Sequence, residues 1–183
     1  MSRLCEVNRT TKETDIKGSV NLDGSGKTEI DSGIGFFDHM LVLMAVHARI
    51  DISLSSKGDL KVDGHHTVED VGIVLGKAIS GALADRAGIC RYGEAHVPMD
   101  ETLVRVCMDL SNRPYAFINL PIQNERLGEL DSELVTEFFR AIAQHAGITL
   151  HIDLVRGSNS HHIAEAAFKA FGRALHAPSS PDR

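Results

Sequence analysis

Cysteine is scarce here and its spacing is unpaired. Three Cys (Cys5, Cys90, Cys107) stand far apart and odd in number, which excludes a disulfide framework or zinc ribbon and fits reduced thiols. No apolar run approaches the ~18 residues of a membrane span, and no charged-then-apolar leader opens the sequence. The expected address is therefore the cytoplasm, with no membrane contact. Lys and Arg are dispersed and the formal net charge is −6, so no basic stripe invites nucleic acid. A glycine-rich phosphate loop is missing too, because Asp23-Gly24-Ser25-Gly26 lacks the Lys-Ser/Thr and helix that would follow it. What the 183 residues have in excess is histidine, with ten. A chain of this length can bury a core as one domain, or as two small halves sharing one.

Four of those histidines belong to a five-residue phrase that occurs twice. His65-His66-Thr67-Val68-Glu69 opens one helical stretch and His161-His162-Ile163-Ala164-Glu165 another. Each helical residue turns about 100° from the last, so adjacent His must serve two directions, whereas the first His and the Glu share a face. A helix-borne His with a carboxylate one turn on is a recurrent metal device, and its repetition suggests two metal sites.

The context of the phrase repeats as well. Residues 3–22 alternate as a hairpin reversing near 11–13, and 28–30 read as a short strand. Residues 34–48 read as a helix burying Phe37, Leu41, Met44 and Ala48, followed by a strand at 50–56, a brief extension at 60–62 and a helix from 65 to about 85 ended by Gly88. The second half follows with strands at 90–98 and 102–110, an extension at 114–120, a polar loop at 123–131, and a helix to 146 capped by Ser132. A strand at 148–155 and a second His-His helix to about 175 complete it, and 177–183 read as a flexible tail. Val46-His47-Ala48 aligns with Gln144-His145-Ala146, which sets His39 opposite Glu137. The expected fold is α+β, a single domain of two β-β-α-β-α halves (about 3–87 and 90–176) with pseudo-two-fold symmetry and mixed sheets packed with helices.

A single His-His-Glu triplet at a helix start could be a solvated cap; two in matched contexts favour His65, His66, Glu69, His161, His162 and Glu165 as metal ligands. Imidazole and carboxylate suit Mn, Fe, Zn or Ni, and without thiolate the site leans toward harder, six-coordinate ions, manganese first. His39 and Glu137 are the natural completing ligands, whereas His47 and His145, beside Ala at helix ends, read as packing. Arg91, Arg113 and Lys169 could converge on a phosphate, although each alone reads as ordinary surface charge. Glu13 at the hairpin tip and Asp100-Glu101 become candidates for moving protons only where they face the metals.

These residues resemble the imidazoleglycerol-phosphate dehydratase family of histidine biosynthesis. The motifs are Asn8-Arg9-Thr10-Thr11-Lys12-Glu13-Thr14, Gly35-Phe36-Phe37-Asp38-His39-Met40-Leu41, Gly58-Asp59-Leu60 through Asp70, Arg91-Tyr92-Gly93, Pro98-Met99-Asp100-Glu101, Arg113-Pro114-Tyr115, and His161-His162 through Lys169-Ala170. The resemblance spans nearly the whole chain. It implies a ribosomal protein S5 domain 2-like duplicated fold, two manganese ions per chain, and trimers assembled into a 24-mer with metal sites between subunits. It implies His39, His65, His66, Glu69, His161, His162 and Glu165 as ligands, Glu137 standing where many members have His, and Arg91, Arg113 and Lys169 on the phosphate. Glu13 would contact substrate. Members continue past the last helix with a Ser- and Lys-containing segment that helps close on the phosphate; the sequence stops at Arg183, and a shortened chain is expected to assemble or turn over less well.

The implied hydro-lyase reaction converts D-erythro-imidazole glycerol phosphate to imidazole acetol phosphate and water. The proton lost is not next to a carbonyl, so its acidity must come from the ring, held as an imidazolate whose electrons expel the C3 hydroxyl. Glu165 and Glu13, then Asp100, would move protons. The competing reading is a His-rich metal-binding scaffold or storage protein without catalysis, which would have no use for three cations near the metals.

Overall fold

A computed structural model describes residues 3–179. The first half comprises β1 (Leu4–Thr10), β2 (Thr14–Asn21), β3 (Thr28–Asp31), α1 (Gly35–Ala48), β4 (Asp51–Gly58) and α2 (His65–Leu83). The second comprises β5 (Tyr92–Met99), β6 (Thr102–Asp109), β7 (Tyr115–Asn119), the short pair β8 (Arg126–Leu127) and β9 (Leu130–Asp131), α3 (Glu133–Ala146), β10 (Thr149–Arg156) and α4 (Ser160–Ser179). The sheet orders are β1-β2-β4-β3 and β5-β6-β10-β7. In both, the third strand pairs parallel to the fourth across a helix, while the other pairings are antiparallel. The expected duplication is therefore present, with one strand more in each four-stranded sheet than β-β-α-β-α supplies and the β8–β9 pair besides in the second half.

Alternation in the strands decides which face is covered. Thr14, Ile16, Gly18 and Val20 of β2 are buried, and Asp15 and Lys17 between them are exposed. One face of each sheet thus asks for a helical cover. α2 lies on β1 and β2 and α4 on β5 and β6, while α2 packs against α3 and α1 against α4. The two sheets are outermost and the helices meet between them, each with a partner from the other half. Phe37, Phe138, Phe139, Phe168 and Phe171 fill the centre, fully buried. The Phe168 ring lies 4.7 Å from Phe139 and 5.3 Å from Phe138. Phe168→Ala is expected to cost about 3–5 kcal/mol, read as a lowered urea midpoint at unchanged slope.

Four local expectations are corrected. Residues 60–62 form a turn with Val62 exposed, closed by the Val62 N–H donating to the Asp59 carbonyl. α2 ends at Leu83, before Gly88: Ala84 takes φ 49° and donates its N–H to the Gly81 carbonyl, and Arg86 reaches back to the Ala146 and Leu110 carbonyls. The polar loop at 123–131 contains the β8–β9 hairpin, reversing near Gly128 at φ 61°. The last helix runs on through Ala177, Pro178 and Ser179, because Pro178 is buried and its carbonyl accepts the Arg91 N–H. The rest of the expected tail, 180–183, lies outside the described residues. Ser132 does stand at the N-cap of α3, but its side chain makes no capping hydrogen bond.

Candidate metal centre and substrate site

Both His-His phrases open their helices, and the adjacent imidazoles diverge as helical geometry requires. The His65 and His66 rings stand at 86° and the His161 and His162 rings at 83°. The first His of each phrase faces its own Glu: His161 Nε2 lies 2.9 Å from Glu165 Oε2, and His65 Nε2 lies 3.9 Å from Glu69 Oε2. The second His of each is held by a carboxylate from another segment. Asp59 Oδ2 takes His66 Nδ1 at 2.9 Å, and Glu101 Oε2 takes His162 Nδ1 at 2.8 Å. A carboxylate on Nδ1 makes that nitrogen the donor and leaves Nε2 with its lone pair free for a metal. Asp59 and Glu101 are the positioning residues that spacing alone did not reveal, since neither stands at a helical interval from its His.

The facing helix carries a further candidate ligand for each phrase. Glu69 and Glu137 line one cleft between α2 and α3, together with Arg140 and His145. In the other half, the Phe36 ring packs 5.3 Å from His161, and His39 lies one turn beyond Phe36 on α1. Helix pairing thus sorts the candidates into two groups, His65/Glu69/Glu137 on α2 and α3 and His39/His161/Glu165 on α1 and α4. Within a single chain the sets are not closed: among the described residues, no three His, Cys, Asp or Glu side chains converge on one point. Arg140 draws Glu137 aside at 2.7 Å, and Lys169 takes Glu165 Oε1 at 2.7 Å. The donors are all imidazole and carboxylate, which fits a hard divalent ion.

Electrostatics around the phrases are marked. Burial pushes the Glu165 carboxyl up, but Lys169 and His161 outweigh it and hold it below the ordinary carboxylate range. Glu165 is therefore ionised at neutral pH, suited to ligation or proton acceptance and not to donation. Hydrogen bonds from His162, the Asn159 N–H and Thr102 hold Glu101 far below that range. The Asp59 hydrogen bond raises His66, with Glu13 among the charges adding to it. Glu13 stands at the β1–β2 tip, where Thr11 Oγ1 accepts its N–H. Asp100 occupies the equivalent β5–β6 turn, exposed at φ 49°, with Oδ2 3.9 Å from His162 Nε2.

The three candidate phosphate cations do not meet within one chain. Arg91 and Arg113 share Asp109 at 2.8 and 3.4 Å and line one surface cleft with Arg86. Lys169 stands apart on α4, beside Glu165. His47 and His145 are half-buried, and burial lowers both pKa values.

Comparison with known proteins agrees on one family. The family model described as imidazoleglycerol-phosphate dehydratase matches residues 32–175. An imidazoleglycerol-phosphate dehydratase of Acetivibrio thermocellus is 59% identical over 96% of this chain and 90% of its own length. That of Cereibacter sphaeroides is 56% identical over 98% of this chain and 92% of its own. The crystal structure of the Staphylococcus aureus enzyme superposes with a TM-score of 0.89 at 40% identity, over 97% of this chain and 99% of that one. A Pyrococcus furiosus structure gives 0.85 at 38% identity, covering 97% and 95%. Two sheets around cross-paired helices, the doubled His-His phrase and these matches all lead to one assignment: the chain belongs to the imidazoleglycerol-phosphate dehydratase family.

Proposed function

We propose that the chain performs its family's reaction, the dehydration of imidazole glycerol phosphate in histidine biosynthesis, at two manganese sites completed by a neighbouring copy of itself. The observation that carries this is the outward second His of each phrase, oriented by Asp59 or Glu101 while its own half-site lacks ligands. His66 and His162 would be given to a neighbour, and trimers building a 24-mer are the assembly this reading carries. No described helix is long and apolar enough to cross a membrane, and the cytoplasm is the proposed compartment.

His65, Glu69 and Glu137 would hold one ion and His39, His161 and Glu165 the other. The chemistry such ions supply when bound is Lewis-acid polarisation of the substrate's ring and hydroxyl. The protein's own groups do the rest. Arg91 and Arg113, prealigned by Asp109, would grip the phosphate from one subunit and Lys169 from another, which fixes the reacting carbons. Glu13 would take the proton from carbon, Glu165 would serve as ligand and as an alternative base, and Asp100 is too exposed to be more than an accessory. Loss of that proton and of the C3 hydroxyl as water leaves an enol, which becomes the ketone.

The test is metal analysis and assay together. Protein purified without chelator should carry about two manganese ions per chain; chelation should abolish formation of imidazole acetol phosphate and manganese should restore it. A metal-free, fully active protein would sink the reading. Asp59→Asn should weaken manganese binding by roughly 10–100-fold at unchanged thermal stability, because it loosens His66 without touching the core. Unchanged affinity would remove Asp59 from the site.

A further inference from the structure

The internal repeat sets Glu137 opposite His39 and Arg140 opposite Val42, so the two half-sites differ in both a ligand and its neighbour. In the first, Glu69 and Glu137 share a cleft of about 440 Å³. There Arg140 Nη1 lies 2.7 Å from Glu137 Oε1. In the second, Glu165 is the only carboxylate of the set, already engaged by His161 and Lys169 at 2.9 and 2.7 Å. Imidazole is a neutral donor, a carboxylate brings a full negative charge, and oxygen-seeking divalent ions bind more tightly as carboxylates accumulate. A His from a neighbouring copy would add the same donor to each set and leave the difference intact.

We propose that the two metal half-sites of this chain are unequal: the Glu137 half-site is a hard, two-carboxylate site that binds its divalent ion more tightly than the His39 half-site, and Arg140 is the counter-charge that holds Glu137 until the ion arrives. This rests on the reading that the two His-Glu helices bind metal. Before the ion binds, the Arg140 guanidinium is the partner of the Glu137 carboxylate. The Arg140–Glu137 pair is largely exposed, so its hold is weak and a divalent ion can displace it. Val42 offers His39 no such counter-charge, and a neutral ligand has no need of one.

Titration of metal-free protein with Mn²⁺, reading the free ion by electron paramagnetic resonance, tests this without reference to activity. Two classes of site are expected, with dissociation constants separated by roughly tenfold or more. Glu137→His should merge them, Glu137→Asp should keep them apart, and Arg140→Gln should tighten the stronger class severalfold, as a competitor for Glu137 is lost. Equal sites in the unaltered chain, or a gap that survives Glu137→His, would overturn the inequality and leave metal binding standing. Absence of any manganese binding would remove the underlying reading as well.

Discussion

Glu13→Gln is expected to lower turnover by roughly 10²–10⁴-fold while the protein still takes up its manganese, because an amide cannot accept the proton that must leave carbon. The change is nearly isosteric and lies on an exposed turn. The Thr11 hydroxyl holds that turn through the Glu13 and Thr14 N–H groups, and the substituted side chain takes no part in this. Folding and metal uptake should therefore be untouched. Steady-state assay beside metal analysis separates the outcomes: normal turnover removes Glu13 from the chemistry, and loss of metal together with activity makes it a structural residue.

Gly172→Val is expected to destabilise the fold by roughly 3 kcal/mol, enough to move the urea midpoint plainly. A Cβ at Gly172 would collide with the Met44 carbonyl and come within 3.1 Å of the Ala48 nitrogen and 3.2 Å of His47 Cβ, so α1 and α4 could not approach. Its repeat partner Gly76 performs the same service for α2 and α3, where a Cβ would meet the Ile142 carbonyl at 2.8 Å. Gly76→Val should weaken the fold comparably. Gly35→Ala, with nothing within 4 Å of its Cβ, is the matching control and should be neutral or slightly stabilising. Equal midpoints for all three variants would show that these close approaches carry no stability.

The fold was legible where period and repetition coincide. The alternation of residues 3–22 made a hairpin, and the period of α1 placed Phe37, Leu41, Met44 and Ala48 in the core, as the structure has them. Repetition located both phrases at helix starts. What stayed hidden depends on contacts distant in sequence. Pro178 looks like the edge of a tail until Arg91 donates to its carbonyl, and Ala84 carries no sign that it, before Gly88, will turn left-handed. The site followed the same division. Helical geometry separated His65 from His66 in advance, whereas Asp59 and Glu101 are partners only through the folded chain. Arg91, Arg113 and Lys169 stood out by type, yet the fold sets Arg91 and Arg113 on Asp109 and Lys169 on Glu165.

The crossing of helices between halves bears on how such a chain came to exist. α2 finds its cover in α3 and α1 finds its cover in α4, so each half alone would leave the inner faces of both its helices bare. A lone ancestor of one half would have had to dimerise with itself about a two-fold axis to bury them. The single chain has the arrangement of such a dimer with its protomers joined end to end, through the short link between Leu83 and Tyr92. Joined in one chain, the two halves can differ, His39 and Val42 in one against Glu137 and Arg140 in the other, a difference that an obligate homodimer of identical chains cannot make.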